Sequence, residues 1–151
     1  MTVYLSLITP VALLITFTIG FFYARHIRKV DLLLKLHQEM ASTEHQQGRK
    51  ILIDYARMGI NAKNIAKDDR VAVNKALSMI DILGYYCKKK YVKESEILDL
   101  WETSLRKIAP KAQEFMGILD SEKGDTTWPY GRQLINKAES LPPARQIRRN
   151  R

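Results

Sequence analysis

The run from Val3 to Tyr23 limits this chain more than any other stretch. It reads Val-Tyr-Leu-Ser-Leu-Ile-Thr-Pro-Val-Ala-Leu-Leu-Ile-Thr-Phe-Thr-Ile-Gly-Phe-Phe-Tyr and carries no charged side chain. A helix needs roughly 20 apolar residues to cross the hydrocarbon core of a bilayer, and this run has that length. The basic cluster Arg25, His26, Ile27, Arg28 and Lys29 follows directly. A segment apolar on every face could be a buried helix of a soluble protein, but this run is too long for that. The expectation is one N-terminal transmembrane helix followed by a small cytoplasmic helical bundle.

Charge decides the orientation and argues against a cleaved leader. A signal peptide places its positive charges before the apolar stretch and ends in a small-x-small cleavage site. Here Arg25, Arg28, Lys29 and Lys35 come after it, and the run ends Phe-Phe-Tyr-Ala-Arg-His. By the positive-inside rule the N-terminus lies outside and the domain in the cytoplasm, with Tyr4 and Phe21-Phe22-Tyr23 at the two interfaces. The expected topology is single-pass, with the short N-terminus periplasmic or extracellular. Within the run, Ala12, Thr16, Gly20 and Ala24 recur every four residues and lay small side chains along one face, as in helices that pack closely in lipid. Pro10 kinks or loosens the helix. Ser6, Thr9, Thr16 and Thr18 can bond back to their own backbone carbonyls.

The remainder divides into a basic collar and amphipathic neck over 25–48, a helical bundle over 49–120, and a loop, short helix and basic tail over 121–151. About 110 residues remain for the soluble part, enough for one modest core. Val30, Leu33, Leu34, Leu36 and Met40 form the neck's apolar stripe, suited to the membrane surface, a partner, or the bundle. Ser42 to Gly48 reads as a solvated helical stretch or a loosened joint. A second helix is expected from about Arg49 to Met58, stopped by a left-handed Gly59. A third starts at Asp68 or Asp69, reaches about Lys90, and buries Val73, Ala76, Leu77, Ile80, Leu83, Gly84 and Cys87. A fourth starts near Ser95 with Ile97, Leu98, Trp101, Leu105 and Ile108. At Pro110 it kinks or gives way to a new helix carrying Ala112, Phe115, Met116 and Leu119. After a polar loop and a turn at Trp128-Pro129-Tyr130-Gly131, a short helix covers about Arg132 to Glu139. No alternating strand pattern is present, so the fold class is all-α.

The segments Asn74 to Tyr86, Tyr91-Val92 and Glu96 to Trp101 combine an aromatic helix end, a short acidic turn and a tryptophan in the next helix. In these features the chain resembles an uncharacterised family of small bacterial membrane proteins with one N-terminal span and a cytoplasmic helical domain. The resemblance covers roughly Lys50 to Leu119. It implies that architecture and a bacterial setting, with no known activity and no catalytic residues.

No arrangement of residues points to catalysis, and no cofactor or metal is expected. The histidines are His26, His37 and His45, without the close spacing of a metal site. Cys87, the only cysteine, has no base at recognisable spacing and reads as a buried structural thiol. Asp81 reads as solvated, with a partly buried, paired carboxylate as the alternative. Trp101 and Phe115 read as core anchors. The formal charge of +9 is concentrated partly in the collar (Arg25, Arg28, Lys29) and the tail (Arg145, Arg148, Arg149, Arg151). These residues suit anionic lipid headgroups or docking on a partner, and the tail reads equally as a solvated, disordered segment. No helix-turn-helix or aromatic platform points to nucleic acid. The expected function is a non-catalytic accessory or scaffold subunit of a larger bacterial membrane complex, reached through other membrane subunits or a second copy of the span. The alternative is a membrane-tethered regulatory or signalling module binding a soluble protein or anionic lipid.

Overall fold

A computed structural model of the chain describes the backbone of residues 2–142 and the side chains of residues 13–142. The described residues are all-α: α1 (Thr2–Met40), α2 (Thr43–Met58), a short 3-10 turn (Ala62–Asn64), α3 (Lys67–Lys88), α4 (Glu94–Lys123) and α5 (Pro129–Ser140). Contacts divide the chain into two units, one ending at Lys35 and the other beginning at Leu36.

The first unit is a single helix, unbroken at Pro10. From Leu13 to Asp31 every side chain is exposed. Leu14, Phe17 and Tyr23 are 70%, 75% and 67% exposed. Thr18 Oγ1 donates to the Leu14 carbonyl at 2.7 Å, the local bond expected of a hydroxyl in such a helix. Val30 and Leu34 of the neck stripe are exposed too.

The second unit has its own core. Met40, Leu52, Val73, Leu77, Ile80, Leu83, Ile97, Leu105, Ile108, Phe115, Met116 and Ile135 are each less than 2% exposed. Burying them supplies the main drive for folding the bundle. Helices α3 and α4 each pack on both α2 and α5, and touch each other less. The end of α1 joins this core through Leu36 and Met40.

Three boundaries and the burial of one glycine differ from the sequence pattern. Helix α2 begins at Thr43 rather than near Arg49, after a turn at Ala41 and Ser42. The stretch that reads as solvated contains Gly48, which is buried. A Cβ there would stand 2.1 Å from the Ala72 carbonyl oxygen and 2.7 Å from Ala76 Cβ, so the α2–α3 crossing is closed by a missing side chain. Helix α4 runs through Pro110 as one helix of 30 residues. The lost backbone bond at an interior proline is tolerated where Ile108, Ala109 and Ala112 are all buried. Helix α5 starts at Pro129, so Pro129 to Gly131 form its first turn, with proline at a position that needs no N–H. Gly59 ends α2 with φ 66°, as its place in the sequence implies.

Candidate functional site

The residues singled out for interaction lie at the two ends of the chain. Thr16, Gly20 and Ala24 are exposed on α1, and a Cβ on Gly20 would meet nothing within 4 Å. The Ala12 side chain lies outside the described residues. Arg25, Arg28 and Lys29 are exposed directly after the apolar stretch. The nearest carboxylate in sequence, Asp31, pairs with Lys35 at 3.8 Å. Arg145, Arg148, Arg149 and Arg151 lie outside the described residues. Among those described, no helix is long and apolar enough to cross a membrane. Residues 3–12, the first part of the apolar run, precede the described side chains.

Helix α5 is held at both ends by other helices. Asp81 of α3 is half-buried, and no Lys or Arg among the described residues pairs with it. Its Oδ1 accepts from the Tyr130 and Gly131 backbone N–H groups at 2.9 and 2.8 Å. A carboxylate at the first free N–H groups of a helix satisfies them and complements the helix dipole. Gly84 allows the approach, because a Cβ there would lie 2.3 Å from the Tyr130 carbonyl oxygen. At the other end Arg106 Nη2 donates to the carbonyls of Ala138 and Leu141 while pairing with Glu102.

The entry to α5 is held as firmly. Trp128 has φ 47°, in the left-handed region that bulky residues avoid. Its indole N–H donates to Ser78 Oγ at 3.1 Å. The Asp120 carboxylate accepts from the Thr127 N–H and hydroxyl, each at 2.7 Å, and from Arg132 at 2.6 Å. These bonds, those from Thr127 foremost, hold the Asp120 carboxyl below its ordinary range.

A second cluster surrounds Trp101. His37 lies against its ring, with centroids 5.2 Å apart. The Arg49 guanidinium carbon stands 5.1 Å from the same ring centroid. Arg49 is 6% exposed, and its hydrogen-bond acceptor among the described residues is the Met40 sulfur at 3.8 Å. Burial alone pushes its pKa down, with no acidic group acting on it. Contact with a tryptophan face is worth about 0.5–2 kcal/mol and leaves the charge without a neutralising partner. The sequence reading passed over Arg49 because a basic residue reads as solvent-facing. Its register was the available signal, three residues before the buried Leu52.

Helix α3 ends in a cluster of tyrosines. The ring centroids of Tyr85 and Tyr86 are 6.1 Å apart, those of Tyr85 and Tyr130 5.4 Å, and those of Tyr86 and Tyr91 5.7 Å. Cys87 is half-buried beside them in a cleft of about 310 Å³ that Lys88, Glu94 and Tyr130 also line. Burial first, then the Glu94 carboxylate, push its thiol up to about 11. At neutral pH it is a thiol rather than a thiolate, so it lacks the activation of a nucleophile. His45 Nε2 is 4.0 Å from Glu39. Among the described residues, no group of three or more His, Cys, Asp or Glu side chains is placed to hold a metal.

Comparison with protein-family models, with curated proteins and with solved structures found no match. The family resemblance over residues 50–119 finds no support in these comparisons.

Proposed function

We propose that this chain is a single-pass membrane protein whose helical bundle acts by interaction, as an accessory or scaffold subunit of a larger bacterial inner-membrane complex. One observation carries the reading. From Leu13 to Tyr23 the helix exposes Leu13, Leu14, Ile15, Phe17, Ile19, Phe21, Phe22 and Tyr23 on all sides. Water is a poor solvent for such a helix, and lipid is a good one. The uncharged residues before it bring the run to spanning length, and Arg25, Arg28 and Lys29 mark the cytoplasmic boundary. The bundle then faces the cytoplasm. The stripe of Ala12, Thr16, Gly20 and Ala24 is the surface for another span, from a second copy or another subunit.

Replacing Gly20 with leucine tests the stripe. It puts a bulky side chain on that face and leaves the run fully apolar. The variant is expected to stay in the membrane and to migrate in mild detergent as a smaller particle than the parent. An unchanged particle with unchanged co-purifying chains contradicts a packing role for the stripe.

A further inference from the structure

Arginine is almost never buried without a partner. Arg49 is buried, and among the described residues neither it nor its neighbours Lys50 and Arg57 has a carboxylate partner. All three line one cleft of about 390 Å³ between α2 and α4, with Gln46 and Asp54 on α2 and Ser104 facing them from α4. Positions 46, 49, 50, 53 and 57 follow each other at helical steps, so α2 turns one face to the cleft. The indole of Trp101 and the Met40 sulfur lie against the Arg49 guanidinium and fix where it sits.

We infer that this cleft is a binding site for a phosphate-type oxyanion, with the buried Arg49 guanidinium as its anchor. Three cations against the single carboxylate of Asp54 leave a surplus of two positive charges, which matches a phosphate monoester dianion. A guanidinium offers two parallel N–H donors to adjacent phosphate oxygens. Lys50 and Arg57 are exposed and can close on the anion from the rim. The Ser104 hydroxyl and the second N–H of the Gln46 amide, whose first donates to the Ala41 carbonyl at 2.6 Å, supply uncharged donors. The phosphate is either a free ion or the head of a lipid. The inference does not depend on the membrane anchor, because every residue involved belongs to the second unit.

The test uses the full chain in detergent, carrying Trp128→Phe so that Trp101 is the only tryptophan. Inorganic phosphate is titrated at constant ionic strength while Trp101 emission is followed, with chloride and acetate as controls. A saturable change in the roughly millimolar range or below is expected with phosphate and not with the controls. Parallel samples in phosphatidylcholine nanodiscs, with and without phosphatidic acid, separate the sources. A response to free phosphate supports the site with a soluble ligand, and a response confined to phosphatidic acid supports it with a lipid. Arg49→Met, which suits the Met40 and Trp101 surroundings, is expected to fold and to lose the response. Lys50→Ala and Arg57→Ala, both at exposed positions, are each expected to weaken binding several-fold. The proposal is overturned by no response to either phosphate source, by equal responses to acetate or chloride, or by an undiminished response in all three variants.

Discussion

Cys87 shows how far a residue's surroundings determine what it does. Burial and the Glu94 carboxylate raise its thiol to about 11, so the reactive thiolate is scarce at neutral pH. Its alkylation by a small maleimide is expected to be slow near pH 7 and to keep accelerating with pH through the ordinary thiol range. A rate that levels off below about pH 9 contradicts this, because an unperturbed thiol titrates near 8.5. That Cys87 lies on the buried side of α3 was legible from its spacing after Leu83 and Gly84. The role of Asp81 was not. Its partners Tyr130 and Gly131 are some fifty positions along the chain, and within its own helix it is simply a polar residue beside an apolar stripe. Arg49 escaped notice because a basic residue reads as solvent-facing. Its register beside Leu52 hinted at burial, and the fold shows that no carboxylate among the described residues meets it.

At the scale of elements, α5 depends on its neighbours. Asp81 satisfies its first N–H groups and Arg106 its last carbonyls. Short isolated helices are marginal in water, so these two helices make a large part of α5's stability. Asp81→Ala leaves two N–H groups without their acceptor and is expected to cost about 1–2 kcal/mol. Asp81→Asn keeps an acceptor oxygen and is expected to cost less. Urea midpoints of the full chain in detergent measure the difference, and equal midpoints for Asp81→Ala and the parent contradict the capping role. The faces of α3 and α4 were readable from apolar periodicity, because helical spacing reports burial directly. The ends of helices were less so. A proline breaks a helix by default and a polar run reads as a joint, yet packing carries α4 through Pro110 and Gly48 lets α2 close on α3.

At the scale of the molecule, one chain joins two solvent preferences. The second unit buries a core of apolar side chains, while the helix from Leu13 to Tyr23 buries none. The all-α class was legible from the absence of alternating patterns and the length of the apolar periodic stretches. The exposed helix was legible earlier still, since an uncharged run of that length is a compositional fact that no packing alters. The proposed membrane location joins these observations, and extraction of membranes with alkaline carbonate tests it most directly. The account predicts that the full chain stays in the membrane pellet and leaves it only with detergent. Replacing Leu14 and Phe17 with lysine is predicted to release it to the soluble fraction, because charges at the centre of a span are costly. Full release of the unaltered chain by carbonate would contradict the anchor and the function proposed from it.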